Sequence, residues 1–367
     1  MLQPGFKLRT QNPEPRTQNS EPRTSNFEKK LLTLLRQKTI MKKILCLSLL
    51  LSVIVTFAAA PTPWGFWGHQ RINRMALYTL PEDLFGFYKP HIEYISEHAV
   101  DPDKRRYAFA EEAARHYIDV DHYGEPPFDE IPRKWNDAVV KFSEDSLNAY
   151  GIVPWHIERM MFRLTKAFQD KDINYILKTS ADLGHYVGDV HVPLHCTENY
   201  NGQKTNQVGI HGFWESRIPE MMGENFDYLT GKAEFIPDIN AKVWEIVLKS
   251  HSMVDSVLGM EKQLNAEFPS DQKYSYETRG ASTVRVYSKE YTEKYNDMLD
   301  NMVERRMRES IITLGSFYLT AWINAGKPNL TGIEVRAWTA EELKEMEELD
   351  NAFKKGEDKG TFKDDDH

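Results

Sequence analysis

Cysteine is nearly absent from these 367 residues: there are two, Cys46 and Cys196. Cys46 falls in a segment expected to be removed, so Cys196 has no intramolecular partner and the fold must do without disulfides. Long apolar runs are missing too. The longest, Ile44 to Phe57, is too short for a comfortable membrane span. Basic residues are outnumbered, 46 against 55, and ten of them precede Trp64 alongside only three acidic ones, so the remainder carries about −16. A surface that acidic repels long polyanions at a distance, and stable duplex DNA binding is not expected. Phosphate-cradling glycine loops, cofactor fingerprints and nucleophilic Ser or Cys triads are also lacking.

What is present divides into segments. Residues 1–40 repeat Arg-Thr-Gln-Asn-Pro-Glu-Pro in varied form, polar and proline-rich, and read as disordered or as an upstream extension of the true chain. At Met41 the text changes to Lys42-Lys43, an apolar run and Ala58-Ala59-Ala60, which makes 41–60 a secretory signal peptide. The expectation is an exported protein, periplasmic or secreted, without a transmembrane anchor. The rest is helical: Leu84–Ala99, Trp135–Val190 with breaks near Gly151–Pro154 and Asp170–Asp172, Ala241–Phe268, Lys289–Ala325 and Ala340–Phe353. Thr339 and Glu342 have capping-box spacing for the last. Only Lys273–Tyr287 has strand-like alternation. The predicted class is all-α, with one domain over 64–330 and a terminal helix and charged tail over 331–367.

The chemistry concentrates in His185-Tyr-Val-Gly-Asp189-Val-His-Val-Pro-Leu-His195. Ile173, Ile176, Leu177, Ser180, Gly184 and Val187 recur at helical steps ahead of it, so His185 and Asp189, four apart, point the same way. Pro193 ends the helix and the next turn delivers His195. Two imidazoles and a carboxylate converging on one helix end suit zinc, although a core histidine with an aspartate partner is the plainer alternative. His211 and Glu215 repeat the four-residue spacing. Pro102 biases Asp101 toward an extended conformation, from which Asp101 would cap the next helix.

Four motifs in order, Trp64-Gly-Phe-Trp-Gly-His69, Asp101 fifteen residues before His116, the His185–His195 block, and His211 with Glu215, resemble the superfamily of zinc-dependent phospholipases C and single-strand-specific zinc nucleases of the S-one/P-one type. The resemblance covers roughly Trp64 to Pro219, more loosely to Pro328. It implies three zinc ions. Asp101, His116, His185 and Asp189 would hold one; Asp189 would bridge to a second held also by His69 and the amine and carbonyl of Trp64; His195, His211 and Glu215 would hold the third. Asp101, Asp189 and Lys104 are the catalytic residues so implied, Lys104 standing where the nucleases carry an arginine. Lysine meets a phosphate only as a point charge. The tryptophan must also be the mature N-terminus to lend its amine, whereas cleavage after Ala60 leaves three residues ahead of it.

The implied substrate is a phosphodiester, a phospholipid or a single-stranded nucleic acid. The short loop from His195 to His211 and the acid Glu215 lie closer to the phospholipases. Tyr117 and Asp119 fall where the nucleases stack and read a base, and with Lys104 they are the expected substrate contacts. The reading leans to a phospholipase C-like diesterase. A single-strand-specific nuclease giving 5′-nucleotides is the alternative, and a non-catalytic zinc-binding protein a third.

Overall fold

Prolines and polar breakpoints cut the helical text into the elements of the computed structural model, which describes residues 65–356 except 280, 281 and 334. The expected extension over 1–40, the expected signal peptide over 41–60 and Trp64 lie outside the described residues. Helices α1 (Phe66–Leu77) and α2 (Glu82–Tyr88) come first. A 3-10 turn at Lys89–His91 then separates α2 from α3 (Ile92–Glu97). The continuous helix expected over Leu84–Ala99 is thus interrupted at Pro90, which lacks an N–H and crowds the preceding turn. Helix α4 (Asp101–Arg106) contradicts the expected extended Asp101, whose φ of −64° and ψ of −32° are helical. A proline in the first turn removes an N–H that would be unpaired anyway, and here that outweighs the pre-proline bias.

Next come α5 (Trp135–Phe142), α6 (Glu144–Tyr150), α7 (Val153–Asp170) and α8 (Ile173–Asp189). The breaks fall where polar and glycine residues permit them: Lys171 is left-handed, and Asp172 caps α8 by accepting the Tyr175 amide at 3.1 Å. Further on, α9 (Ile210–Gly212) runs through a π turn, Phe213–Arg217, into α10 (Ile218–Met222). Helices α11 (Ile239–His251) and α12 (Val254–Glu267) replace the single helix expected over 241–268. Between them the Ser252 hydroxyl donates to the Lys249 carbonyl at 2.7 Å, local bonding that competes with helix continuation. The expected helix over 289–325 is likewise two, α13 (Lys289–Met298) and α14 (Met302–Asn324), separated by left-handed Asp300 and Asn301. Helix α15 (Ala340–Lys355) carries the capping box of Thr339 and Glu342.

The strand-like stretch forms a hairpin, β1 (Tyr274–Arg279) against β2 (Ser282–Tyr287), with Tyr274 opposite Tyr287 and Tyr276 opposite Arg285. The fold is otherwise all-α, and none of the described helices is long and apolar enough to cross a membrane.

Helices α1, α7, α8 and α14 pack around a common core that buries Leu164, Phe168, Leu183, Val187, Leu314 and Phe317. Each such side chain contributes about 1.5–3 kcal/mol by leaving water. Two glycines set how closely α1 crosses α8. A Cβ at Gly184 would collide with the Asn73 amide, and one at Gly188 would come within 2.9 Å of His69 Nδ1. Asn73 uses the closeness to donate to the Ala181 carbonyl at 3.0 Å. This crossing brings His69, near the start of α1, against the last turn of α8; the rings of His69 and His185 stack with centroids 3.9 Å apart.

Candidate metal centre

Helix α8 presents His185 and Asp189 on one face, as the four-residue spacing dictates. The His185 Nδ1–H donates to the Ala99 carbonyl at 2.9 Å, which leaves Nε2 as the nitrogen with a lone pair. That Nε2 faces His116 Nδ1 at 3.1 Å, Asp103 Oδ1 at 3.5 Å and Asp189 Oδ2 at 3.5 Å. The other oxygen of Asp189, Oδ1, lies 3.4 Å from His69 Nε2. Past the helix, the 3-10 turn Pro193–Cys196 delivers His195. Its Nδ1–H donates to the His116 carbonyl at 2.9 Å, and its Nε2 stands 3.2 Å from Glu215 Oε2. His211 Nε2 meets the same oxygen at 2.7 Å, while Glu215 Oε1 turns to His69 at 3.4 Å.

Three groups result: His69 with His185 and Asp189; Asp103 with His116 and His185; His195 with His211 and Glu215. They form a chain in which Asp189 joins the first two and Glu215 reaches from the third back to His69.

This donor set fits zinc. It consists of imidazoles and carboxylates only, and carbonyls behind His185 and His195 fix the tautomers that aim lone pairs inward. Burial lowers His116 and His185 below the usual imidazole range, with a neighbouring histidine adding to the effect in each case, so both are neutral donors at pH 7. Burial by itself would raise the carboxyls of Asp103 and Glu215. The histidines facing them outweigh it and hold both well below the ordinary range. Cys196 is buried, its thiol pushed up to about 12, and it is no thiolate ligand at neutral pH.

Asp101 and Lys104 are not where the sequence suggested. Asp101 accepts from His98 Nδ1 at 2.5 Å and from Lys104 Nζ at 3.0 Å, away from the histidine groups. Asp103 takes the place expected of Asp101. Residues two apart on a helix do not share a face, so Asp101 and Asp103 cannot both look inward from α4. The shift carries the basic partner with it: Arg106, three residues after Asp103 and 3.5 Å from its Oδ1, lines the cavity over the histidines. The cue available in sequence was this pair of interleaved i,i+3 charge pairs; the fifteen-residue interval to His116 points to Asp101, whereas it is Asp103 that lies with His116 and His185. Tyr117 and Asp119 do not line that cavity either. Tyr117 donates to the Ala149 carbonyl at 3.2 Å, and Asp119 is buried beside Tyr150, whose carbonyl accepts its amide at 2.8 Å.

The cavity encloses about 460 Å³. His69, Asp103, Asp189, His195, His211 and Glu215 line it, together with Arg106 and Tyr107. Tyr274, Arg285 and Tyr287 of the hairpin contribute to its lining, as does Phe353 of α15, which packs edge-on to Tyr107 with centroids 5.3 Å apart. Neither the hairpin residues nor Phe353 was anticipated. No curated protein matches the chain. Residues 64–336 match the family described as S1/P1 Nuclease, a span that contains every donor named above. The chain therefore belongs to the S1/P1 nuclease family, and the protein is a zinc-dependent phosphodiester hydrolase.

Proposed function

We propose that the protein is an exported nuclease that cuts single-stranded nucleic acid to 5′-nucleotides, with Asp103, rather than Asp101, among its metal ligands. The observation that carries this reading is the family match over 64–336, which is to nucleases. It replaces the lean toward phospholipids that rested on Glu215 and the short loop before His211.

In this proposal Asp103, His116, His185 and Asp189 would hold one zinc ion, His69 and Asp189 would contribute to a second, and His195, His211 and Glu215 would hold a third. Zinc there supplies Lewis acidity toward a phosphodiester and water acidic enough to be ionised near neutral pH. The chain's own residues do the rest. Burial keeps His116 and His185 unprotonated, and the carboxyls of Asp103 and Glu215 ionise below the ordinary range, so these donors are free to bind a metal. Arg106, tethered to Asp103, offers a fixed guanidinium fork to a phosphate oxygen, a geometry Lys104 could not have provided. The acidic exterior disfavours a long duplex, so attraction for phosphate is confined to the cavity.

Purified mature protein with zinc, offered single-stranded DNA, RNA and phosphatidylcholine in parallel, tests the proposal. Cleavage of the nucleic acids with 5′-phosphate products is expected. Hydrolysis of the phospholipid with no action on either nucleic acid would reverse it.

A further inference from the structure

The wall of the cavity formed by the hairpin has no part in holding metal, yet it is fixed to the metal-bearing segment on both sides of Glu215. Two residues before Glu215, Phe213 stacks on Tyr287 with ring centroids 3.8 Å apart and planes 17° apart. Two residues after it, Arg217 donates to the Tyr287 carbonyl at 3.2 Å and to Glu277 at 2.6 Å. The hairpin therefore keeps its register to the third histidine group. Tyr274, opposite Tyr287 in the ladder, is half-buried beside it, centroids 5.1 Å apart. The exposed Arg285 lays its guanidinium over the Tyr274 ring at 4.3 Å. All three line the cavity, whereas Tyr117 and Asp119 do not.

An aromatic face and an adjoining cation, both held at a set distance from a phosphodiester-cleaving centre, match the chemistry of an unpaired nucleotide. The base has a π-face to stack, and its phosphate has a charge to meet. Resting on the nuclease reading above, we propose that this hairpin is the specificity wall of the enzyme. Tyr274 stacks the base of a nucleotide flanking the scissile phosphate, Arg285 meets the backbone phosphate beside that base, and Tyr287 is the positioning residue that ties both to Glu215. A paired base has its faces covered by its neighbours in the stack, so the same wall selects against duplex.

The test compares wild type with Tyr274→Ala, Tyr274→Phe and Arg285→Ala on a single-stranded oligonucleotide and on bis(4-nitrophenyl) phosphate, a diester with no base. Zinc content and melting temperature are measured for each. For Tyr274→Ala the ratio of kcat/KM on the oligonucleotide to kcat/KM on the small diester should fall about tenfold, through KM, and Tyr274→Phe should restore it. Arg285→Ala should flatten the slope of log KM against log salt by about 0.7. An unchanged ratio in Tyr274→Ala, or a loss of zinc in that variant, would overturn the proposal. Wild-type protein that cleaves the small diester but no oligonucleotide would instead remove the nuclease reading, and the hairpin's role with it.

Discussion

Oδ1 of Asp189 lies 3.4 Å from Nε2 of His69, while its Oδ2 lies 3.1 Å from Nδ1 of His116. One carboxylate thus faces a donor on α1 and a donor in the loop after Arg115 from opposite oxygens, the arrangement a bridging ligand would need.

Asp189→Asn keeps this shape and removes the charge from both neighbours. It should lose about two equivalents of zinc, because each group it joins is left with fewer anionic donors. Glu215→Gln should lose about one, that of His195 and His211. Metal analysis of the two purified variants checks the ranking; equal losses would count against the bridge.

Asp103→Asn and Asp101→Asn separate the two candidates on α4. Asp103 faces His185 at 3.5 Å and Asp101 faces His98 and Lys104, so only the first change should reach the chemistry. Hydrolysis of an activated diester is expected to fall about 100-fold or more in Asp103→Asn, and about twofold or less in Asp101→Asn. The reverse order would restore the assignment made from spacing.

Gly188→Ala places a methyl 2.9 Å from His69 Nδ1, and an imidazole wedged between α1 and α8 cannot swing away as a flexible chain would. The expected cost is about 1–3 kcal/mol of stability. Weakened zinc retention beside His69 should accompany it, read by thermal melts with and without metal. A variant with unaltered melting and metal content would show that the crossing has slack.

Acid should destabilise the chelator-treated protein from about pH 6.5 downward. His156 and His191 are lowered well below the usual imidazole value by burial, with Arg115 and other arginines around His156 and Arg306 near His191 adding to it. Above about 6.5 both states hold these groups neutral and nothing is gained or lost. Below it the unfolded chain takes up protons that the folded one refuses, so stability declines until the folded-state values are passed. Melting temperatures should be level between pH 8 and 7 and fall toward pH 5, and His156→Gln should soften the fall.

Periodicity alone placed α8 and aimed His185 and Asp189 together, because helical spacing is a local property that needs no knowledge of the rest of the chain. The capping box of α15, the strand character of Lys273–Tyr287 and the helical class were legible for the same reason; that the stretch folds back on itself as a hairpin was not. Helix ends were less so: Pro90, Ser252 and the Asp300-Asn301 pair each stopped a helix that apolar spacing would have continued. The choice between Asp101 and Asp103 depended on which face of α4 meets α8, and two charge pairs of equal spacing give no local preference. That Phe353 and the hairpin reach the same cavity, from far along the chain, was decided by packing. Sequence determined which residues could donate to a metal; the Gly184–Gly188 crossing and the turn after Pro193 decided which of them meet, because convergence of distant donors is set by how closely helices approach and not by the order in which they are written.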